Sequence, residues 1–224
     1  LVFTSNRDGA TGLWTCDADG STAAPLLPPP LGGADGEADW NAATDRIVFS
    51  RRGADGRHTL WLVHGSGAGN VPLTDGGGAV GAGAGDRAPS FSPNGSEVVF
   101  VRRLTAERAQ LWRCVLATGQ STLVFDPDGE VSLPRFAPTM DRIWFGLAEP
   151  ASGRGTLRLA ELALSPGATP LLLWPDERWR LEGLDLLPSL PALPATTAPQ
   201  RLDVANANVQ IAAASSVFGA RSQL

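Results

Sequence analysis

Two histidines, two cysteines, two aspartate-glycine turns and three sets of arginines are the residues of this 224-residue chain whose types could do chemistry. His58 and His64 bracket Leu60-Trp61. On a strand that spacing puts them on one face about 20 Å apart, too far to share a metal ion, so each reads as an ordinary surface or turn histidine. Asp17-Ala-Asp-Gly20 and Asp126-Pro-Asp-Gly129 begin as a calcium loop would, but the later ligands such a loop needs are missing and both read as turns. The glycine-rich stretch 76–85 lacks the Gly-Lys-Ser/Thr ending of a phosphate cradle and reads as a flexible surface linker. There is no Gly-x-Ser-x-Gly elbow, no Cys-x-x-Cys and no His-Glu-x-x-His. Carboxylates are plentiful, so spacing leaves open a dyad assembled from separate strands. No catalytic residue, cofactor or metal is assigned, and the chain is expected not to be an enzyme.

The arginines have a register. Arg7, Arg51 with Arg52, and Arg102 with Arg103 each follow a short apolar run that contains a phenylalanine. Equivalent positions in a repeat share one end of the assembly, so these side chains could line a rim and hold an acidic partner. The competing reading pairs them with Asp8, Asp55 and Glu107 as exposed, weak ion pairs.

The elements that would position these residues recur along the chain. Val2-Phe3 precedes Leu13-Trp14, Ile47-Val48-Phe49 precedes Leu60-Trp61, Val98-Val99-Phe100 precedes Leu111-Trp112, and Ile143-Trp144-Phe145 precedes Leu157-Arg158-Leu159. The phenylalanines are 46, 51 and 45 residues apart, a period suited to a four-stranded propeller blade. A preceding strand ends each time in a turn, most clearly at Ala88-Pro-Ser-Phe-Ser-Pro-Asn-Gly95, with Leu133-Pro-Arg-Phe-Ala-Pro138 and Ala38-Asp-Trp-Asn41 as weaker copies. A fourth short strand is read at 24–27, 71–74, 121–125 and 169–174.

Phe91-Ser-Pro-Asn-Gly95, Phe3-Thr-Ser-Asn-Arg-Asp-Gly9 and Leu13-Trp14 with Asp19-Gly20 follow a pattern that resembles the TolB-type propeller repeat. The resemblance covers about residues 1–187. It implies an all-β propeller of four-stranded antiparallel blades, closed as four or with a fifth from the C-terminal hairpin. It also implies an extracytoplasmic, periplasmic protein that works as a non-catalytic binding and scaffolding partner of envelope or membrane-complex subunits. The alternative is the gating domain of a prolyl-peptidase-like hydrolase whose catalytic part lies elsewhere.

Composition fits many short strands. Gly and Pro number 26 and 18, and a chain of this length buries roughly 70% of its unfolded surface, enough for a sizeable core. The net charge of −5 argues against non-specific nucleic-acid binding, which needs a basic face. No stretch forms a 20-residue apolar helix. The chain opens at Leu1 without an initiator Met or signal peptide, so processing or upstream sequence is expected. Cys16 and Cys114 each lie two residues after a repeat tryptophan. They should therefore be two units apart, unbridged, and buried in strand interiors.

Beyond Trp174 the pattern loosens. Leu184–Leu187 has the phase to pair with the Val2 strand and close the ring. Residues 188–224 read as a separate extension in which Pro188, Pro191 and Pro194 alternate with Leu187, Leu190 and Leu193, three residues per polyproline II turn. A hairpin is expected over 201–213 around Asn206-Ala-Asn208, followed by a patternless tail from Ser215. The candidate partner-binding residues are Leu190, Leu193, Phe218, Arg51, Arg52, Arg102 and Arg103.

Overall fold

In a computed structural model, residues 1–78, 81, 83–148 and 157–173 are described in full, together with the backbone of 184–185, 209–213 and 216–220. The first unit has three strands, β1 (Val2–Ser5), β2 (Gly12–Thr15) and β3 (Ala24–Pro25). The second has four, β4 (Ala34–Asn41), β5 (Arg46–Arg52), β6 (His58–His64) and β7 (Val71–Pro72). The third has β8 (Gly85–Phe91), β9 (Glu97–Arg103), β10 (Ala109–Val115) and β11 (Gln120–Phe125). The fourth has β12 (Glu130–Phe136), β13 (Arg142–Ala148), β14 (Arg158–Ala163) and β15 (Leu171–Leu172). Strands β16 (Leu184–Asp185), β17 (Val209–Ala213) and β18 (Ser216–Ala220) follow. Within each unit neighbouring strands pair antiparallel, as their connection by short turns requires.

The period-2 alternation of the phenylalanine strands explains why consecutive units stack. On β5, Ile47 and Phe49 point toward unit one, into a core with Leu13, Leu27 and Val63. Val48 points the other way, toward unit three, with Leu60, Phe91, Val98, Phe100 and Cys114. Val99 and Val101 of β9 in turn meet Phe136, Ile143 and Phe145 of unit four. Each strand thus feeds two core layers. The repeat phenylalanine always faces the preceding unit, and Phe49, Phe100 and Phe145 are all fully buried.

The expected β-propeller is not what forms. The strands make sheets of three, eight, four and three strands, none of them closed into a ring or barrel. Two contacts account for this. Units two and three merge into one eight-stranded mixed sheet through a parallel bridge, His58↔Gly85, reinforced by a 2.9 Å hydrogen bond from the His58 N–H to the Ala84 carbonyl. Gly85 permits it: its φ is +106°, and a Cβ there would lie 2.1 Å from the His58 carbonyl oxygen. The proposed closing strand also goes elsewhere, since Leu184 pairs with Ala220 and Asp185 with Gly219, and among the described strands β1 pairs with β2 alone.

The C-terminal hairpin is shifted from its expected place. It joins Val209–Ala213 to Ser216–Ala220, with Ala213 opposite Ser216, so the expected patternless tail supplies a strand. Both cysteines are free: Cys114 is buried in β10, whereas Cys16 lies just past the end of β2 and is half-buried. Among the described residues no helix is long and apolar enough to cross a membrane.

Candidate functional site

The first strands of units two, three and four carry the same irregularity. Glu37-Ala38, Ala88-Pro89 and Leu133-Pro134 each place two residues opposite one on the neighbouring strand, and that one residue is Phe49, Phe100 or Phe145. This is a β-bulge, which bends the strand and re-aims the side chains after it. Its leading residue is left-handed every time although none is glycine, with φ of 51° at Glu37, 46° at Ala88 and 48° at Leu133. Such a conformation costs on the order of 1 kcal/mol. Pro89 and Pro134 occupy the second bulge position, where the missing N–H breaks no ladder bond.

The residues just after the bulges converge. Asp39, Ser90 and Arg135 hold equivalent positions, opposite Val48, Val99 and Trp144. They line one cleft of about 220 Å³ together with Trp40, Asn41, Phe91, Ser92, Pro93 and Phe136. One carboxylate, one hydroxyl and one guanidinium are therefore offered side by side on an aromatic floor. Asp39 is fixed by accepting the Phe91 N–H through Oδ2 at 2.7 Å. Asn41 Nδ2 donates to the Ser92 and Pro93 carbonyls at 3.3 and 3.4 Å. Arg135 Nη1 donates to the Pro134 carbonyl at 3.0 Å, leaving the rest of the fork for the cleft. Among the described residues no histidine lines it.

Glu37 ties the frame together. It accepts from Arg87 Nη2 at 2.6 Å and from the Ala88 N–H at 2.9 Å, so a unit-two carboxylate holds the bulge of unit three. Sequence reasoning picked out the Ala-Pro-Ser-Phe and Leu-Pro-Arg-Phe copies but assigned no role to Asp39, Ser90 or Arg135. The signal was the residue just before the aromatic one, which is aspartate before Trp40, serine before Phe91 and arginine before Phe136.

The predicted arginine rim is placed differently from either expectation. Arg51 forms a two-pronged pair with Asp35, Nε to Oδ1 and Nη2 to Oδ2 both at 2.7 Å. Arg102 does the same with Asp86 at 2.7 and 2.9 Å. The aspartate side chains are fully buried, and the arginines are 15% and 10% exposed. Each guanidinium also lies over a tryptophan, Arg51 at 4.4 Å from Trp61 and Arg102 at 4.2 Å from Trp112, a favourable cation–π arrangement. Gly77 closes over the second pair: a Cβ there would sit 2.3 Å from Arg102 Cζ. The stretch expected to be a free linker thus packs, at Gly76–Gly78, as a short turn whose three glycines are all left-handed. Asp8, Asp55 and Glu107 take no part.

Arg103 pairs with Glu130 and donates to the Ala106 carbonyl at 2.8 Å. Arg52 is exposed, at the end of β5 opposite Ala34 and His58. Leu190 and Leu193 lie outside the described residues, as does the side chain of Phe218, whose backbone belongs to β18.

Unit four replaces the whole charged arrangement. Where Asp35 faces Arg51 and Asp86 faces Arg102, Val131 faces Leu147, and the position of Trp61 and Trp112 is taken by Ala160. Across units two to four, aspartate, arginine and tryptophan are present together or absent together, as expected when a buried charge without its partner is the costly state.

His58 is half-buried and joins two units rather than standing on the surface. Ser50 Oγ lies 3.2 Å from the Asp86 carbonyl and 2.9 Å from His58 Nδ1. The carbonyl can only accept, so the serine proton goes there and Nδ1–H donates to Oγ. Burial, followed by the nearby Arg87 charge, pushes the His58 pKa below its usual value. Burial likewise raises the Cys114 thiol, which makes it an inert filler. His64 lies 3.2 Å from Asp45 at the far end of β6. The Asp17 turn is closed by the Gly20 N–H on the Asp17 carbonyl at 3.0 Å, and among the described residues no His, Cys, Asp and Glu cluster could hold a metal.

Comparison with solved structures finds the same fold at low identity. A TolB from Agrobacterium tumefaciens matches with a TM-score of 0.63 at 13% identity, over 77% of this chain and 60% of that one. TolB from Acinetobacter baumannii matches with a TM-score of 0.62 at 17% identity, over 98% of this chain and 51% of that one. An oligogalacturonate lyase in complex with manganese matches with a TM-score of 0.57 at 17% identity, over 77% and 48% of the two chains. This chain therefore spans about half to three-fifths of the TolB structures it resembles. No protein-family model and no curated protein matches the sequence.

Proposed function

We propose that this chain is a non-catalytic protein-binding module and that its cleft takes a polar, extended segment of a partner protein. The observation that carries this reading is the cleft at Asp39, Ser90 and Arg135. Its volume is below the range of small-molecule and cofactor pockets, roughly 300–1,000 Å³, and suits one or two inserted side chains. Its carboxylate and guanidinium match the N–H and C=O groups of a peptide. The cleft is set in hydrogen-bonded backbone, so it needs little ordering when a partner arrives.

The likeness to TolB structures supports placement outside the cytoplasm, as an accessory component of a membrane-associated complex. In this reading the exposed Arg52 and the Leu190, Leu193 and Phe218 positions of the 188–224 extension supply further attachment. An extended proline-rich segment loses little conformational entropy on docking.

The test is co-purification from native membranes with wild type, Arg135→Glu first shown to keep its thermal midpoint, and a Leu190→Ser/Leu193→Ser/Phe218→Ser variant whose midpoint is measured alongside. Loss of the same captured protein by Arg135→Glu supports the cleft. Retention of that protein by a folded Arg135→Glu variant overturns it. If the leucine variant loses stability instead of the partner, the extension covers the flank of the fold and is not an attachment device.

A further inference from the structure

Within the cleft, the joint between units two and three is laced by side chains and the joint between units three and four is not. Asp39 and Asn41 of β4 reach across to unit three, where Asp39 Oδ2 accepts the Phe91 N–H at 2.7 Å and Asn41 Nδ2 donates to the Ser92 and Pro93 carbonyls. Unit three carries Ser90 and Ser92 at the same two positions. Ser92 turns back into its own unit, its Oγ donating to Asn94 Oδ1 at 2.8 Å and accepting the Glu97 N–H at 2.9 Å. Ser90 is 3% exposed and lines the cleft, and among the described residues its Oγ has no hydrogen-bond partner.

The backbone of unit four offers a matching donor. Phe136 holds in β12 the place of Phe91 in β8, opposite Ile143 as Phe91 is opposite Val98. The next residue of each strand bonds across the ladder, the Ser92 N–H to the Glu97 carbonyl at 2.8 Å and the Ala137 N–H to the Arg142 carbonyl at 2.9 Å. By the antiparallel alternation, the N–H groups of Phe91 and Phe136 therefore point away from β9 and β13. Asp39 takes the first. Among the described residues nothing takes the second, although Phe136 is 1% exposed and lines the cleft. A serine hydroxyl ends one bond nearer the backbone than an aspartate oxygen, so Ser90 cannot repeat what Asp39 does. Two buried donors thus meet at one end of the cleft without an acceptor, and buried donors are costly to leave unpaired. The charge beside them suits an anion. Arg135 spends Nη1 on the Pro134 carbonyl and makes no ion pair among the described residues, whereas Arg51, Arg87 and Arg102 each hold a carboxylate. Asp39, the opposite charge of the cleft, is fixed at the unit-three end on Phe91.

We infer that the unit-four end of the cleft recognises a carboxylate side chain, an aspartate or glutamate of the partner segment, which accepts from the Phe136 N–H and the Ser90 hydroxyl beside the Arg135 guanidinium. The chain contains the pattern for this contact, since Asp39 does the same for Phe91 one joint earlier. The inference rests on the proposed binding role of the cleft and adds the group that it selects.

The probe is N-acetyl-aspartic acid amide, titrated into the whole protein and followed by NMR through the Phe136 amide resonance. Saturable binding with a Kd of about 1 mM is expected, the strength of a few charge-assisted hydrogen bonds, with the Phe136 amide proton moving downfield. The neutral isostere N-acetyl-asparagine amide should bind roughly tenfold more weakly, and Arg135→Gln should weaken the aspartate probe by as much. Ser90→Ala should weaken it about threefold, as loss of one neutral hydrogen bond implies. Ser90→Asp supplies the acceptor from within: it should keep the unfolding midpoint or raise it, move the Phe136 amide proton without any probe, and abolish probe binding. Absence of saturable binding, equal binding of the asparagine analogue, or undiminished binding by a folded Ser90→Asp variant overturns the inference. So does tighter binding of N-acetylalanine, because the occupant is then a chain terminus and not a side chain. Co-purification separates this inference from the wider reading. If Ser90→Asp retains the captured protein that Arg135→Glu loses, the carboxylate site is wrong and the binding role of the cleft stands.

Discussion

Replacing Asp86 with Asn removes one charge from a buried pair and leaves shape unchanged. The Asp86 side chain is fully buried and its charged partner, Arg102, is 10% exposed and held over Trp112, so the orphaned guanidinium cannot swing into water without giving up that stacking. Breaking such a pair costs about 3–5 kcal/mol. Asparagine keeps one acceptor oxygen, which places the variant near 3. In a chain of this size that lowers the thermal midpoint by roughly 6–12 °C. Unit four shows the alternative, an apolar pair of Val131 opposite Leu147. Asp86→Val combined with Arg102→Leu should therefore lie within about 1–2 kcal/mol of wild type, the residual loss being the cation–π contact. The assay is reversible urea unfolding followed by tryptophan fluorescence, with both single variants and the double variant forming a cycle. A coupling of at least about 2 kcal/mol is expected. The reasoning is refuted if Asp86→Asn costs less than about 1 kcal/mol, or if the double variant is as unstable as the sum of the singles.

Two further outcomes follow from the joint between units two and three. His58 is held below its usual pKa in the folded chain, so as pH falls from about 6.5 the unfolded state takes up a proton first. Stability should drop through that window and be regained above it. His58→Gln should flatten the difference in midpoint between pH 7.5 and pH 5.5, and an unchanged pH dependence would refute the assignment. Gly77→Ala places a methyl on the Arg102 guanidinium at a φ of +63°. It should cost roughly 1–2 kcal/mol, whereas Gly78→Ala, at a similar φ of +69° but with nothing within 4 Å of its Cβ, should cost only the backbone part. Equal losses in urea unfolding would mean the glycine turn does not clamp Arg102.

The strand order within each unit was legible because β-branched and aromatic residues at Ile47–Phe49, Val98–Val101 and Ile143–Phe145 alternate sharply between two buried faces. Tertiary pairing was less legible. The repeat predicts that Leu184–Leu187 returns to β1, but a short segment of apolar residues has no register of its own, and the Ser216–Ala220 strand takes its edge instead. The merging of units two and three depends on the left-handed conformation of Gly85 beside His58, one glycine among the 26 of the chain. Arg51 and Arg102 were visible as a register, yet their partners lie 16 residues earlier on a neighbouring strand. The acidic residues closest in sequence drew attention because exposed i-to-nearby pairs are common, and they proved unconnected.

The division between what repeats and what varies gives the cleft its meaning. At the ion-pair level the choice is all or none: aspartate, arginine and tryptophan together in units two and three, valine, leucine and alanine in unit four. Burial dictates this, because any single member left alone is penalised. One turn along the same strands, after the bulge, the backbone is reproduced with φ values within 5° of one another, from 46° to 51°, while the side chains become Asp39, Ser90 and Arg135. A left-handed non-glycine residue is retained at each bulge despite its cost. Strain kept in three copies, and followed each time by a different polar group lining one cleft, supports the proposed binding role. Exchanging Asp39 and Arg135 in a double variant preserves net charge and the bulges but reverses the order of charge along the cleft. It should leave the unfolding free energy within about 1 kcal/mol of the two single losses combined, and abolish partner capture. Retained capture would show that the partner reads the cleft's shape and not its charges.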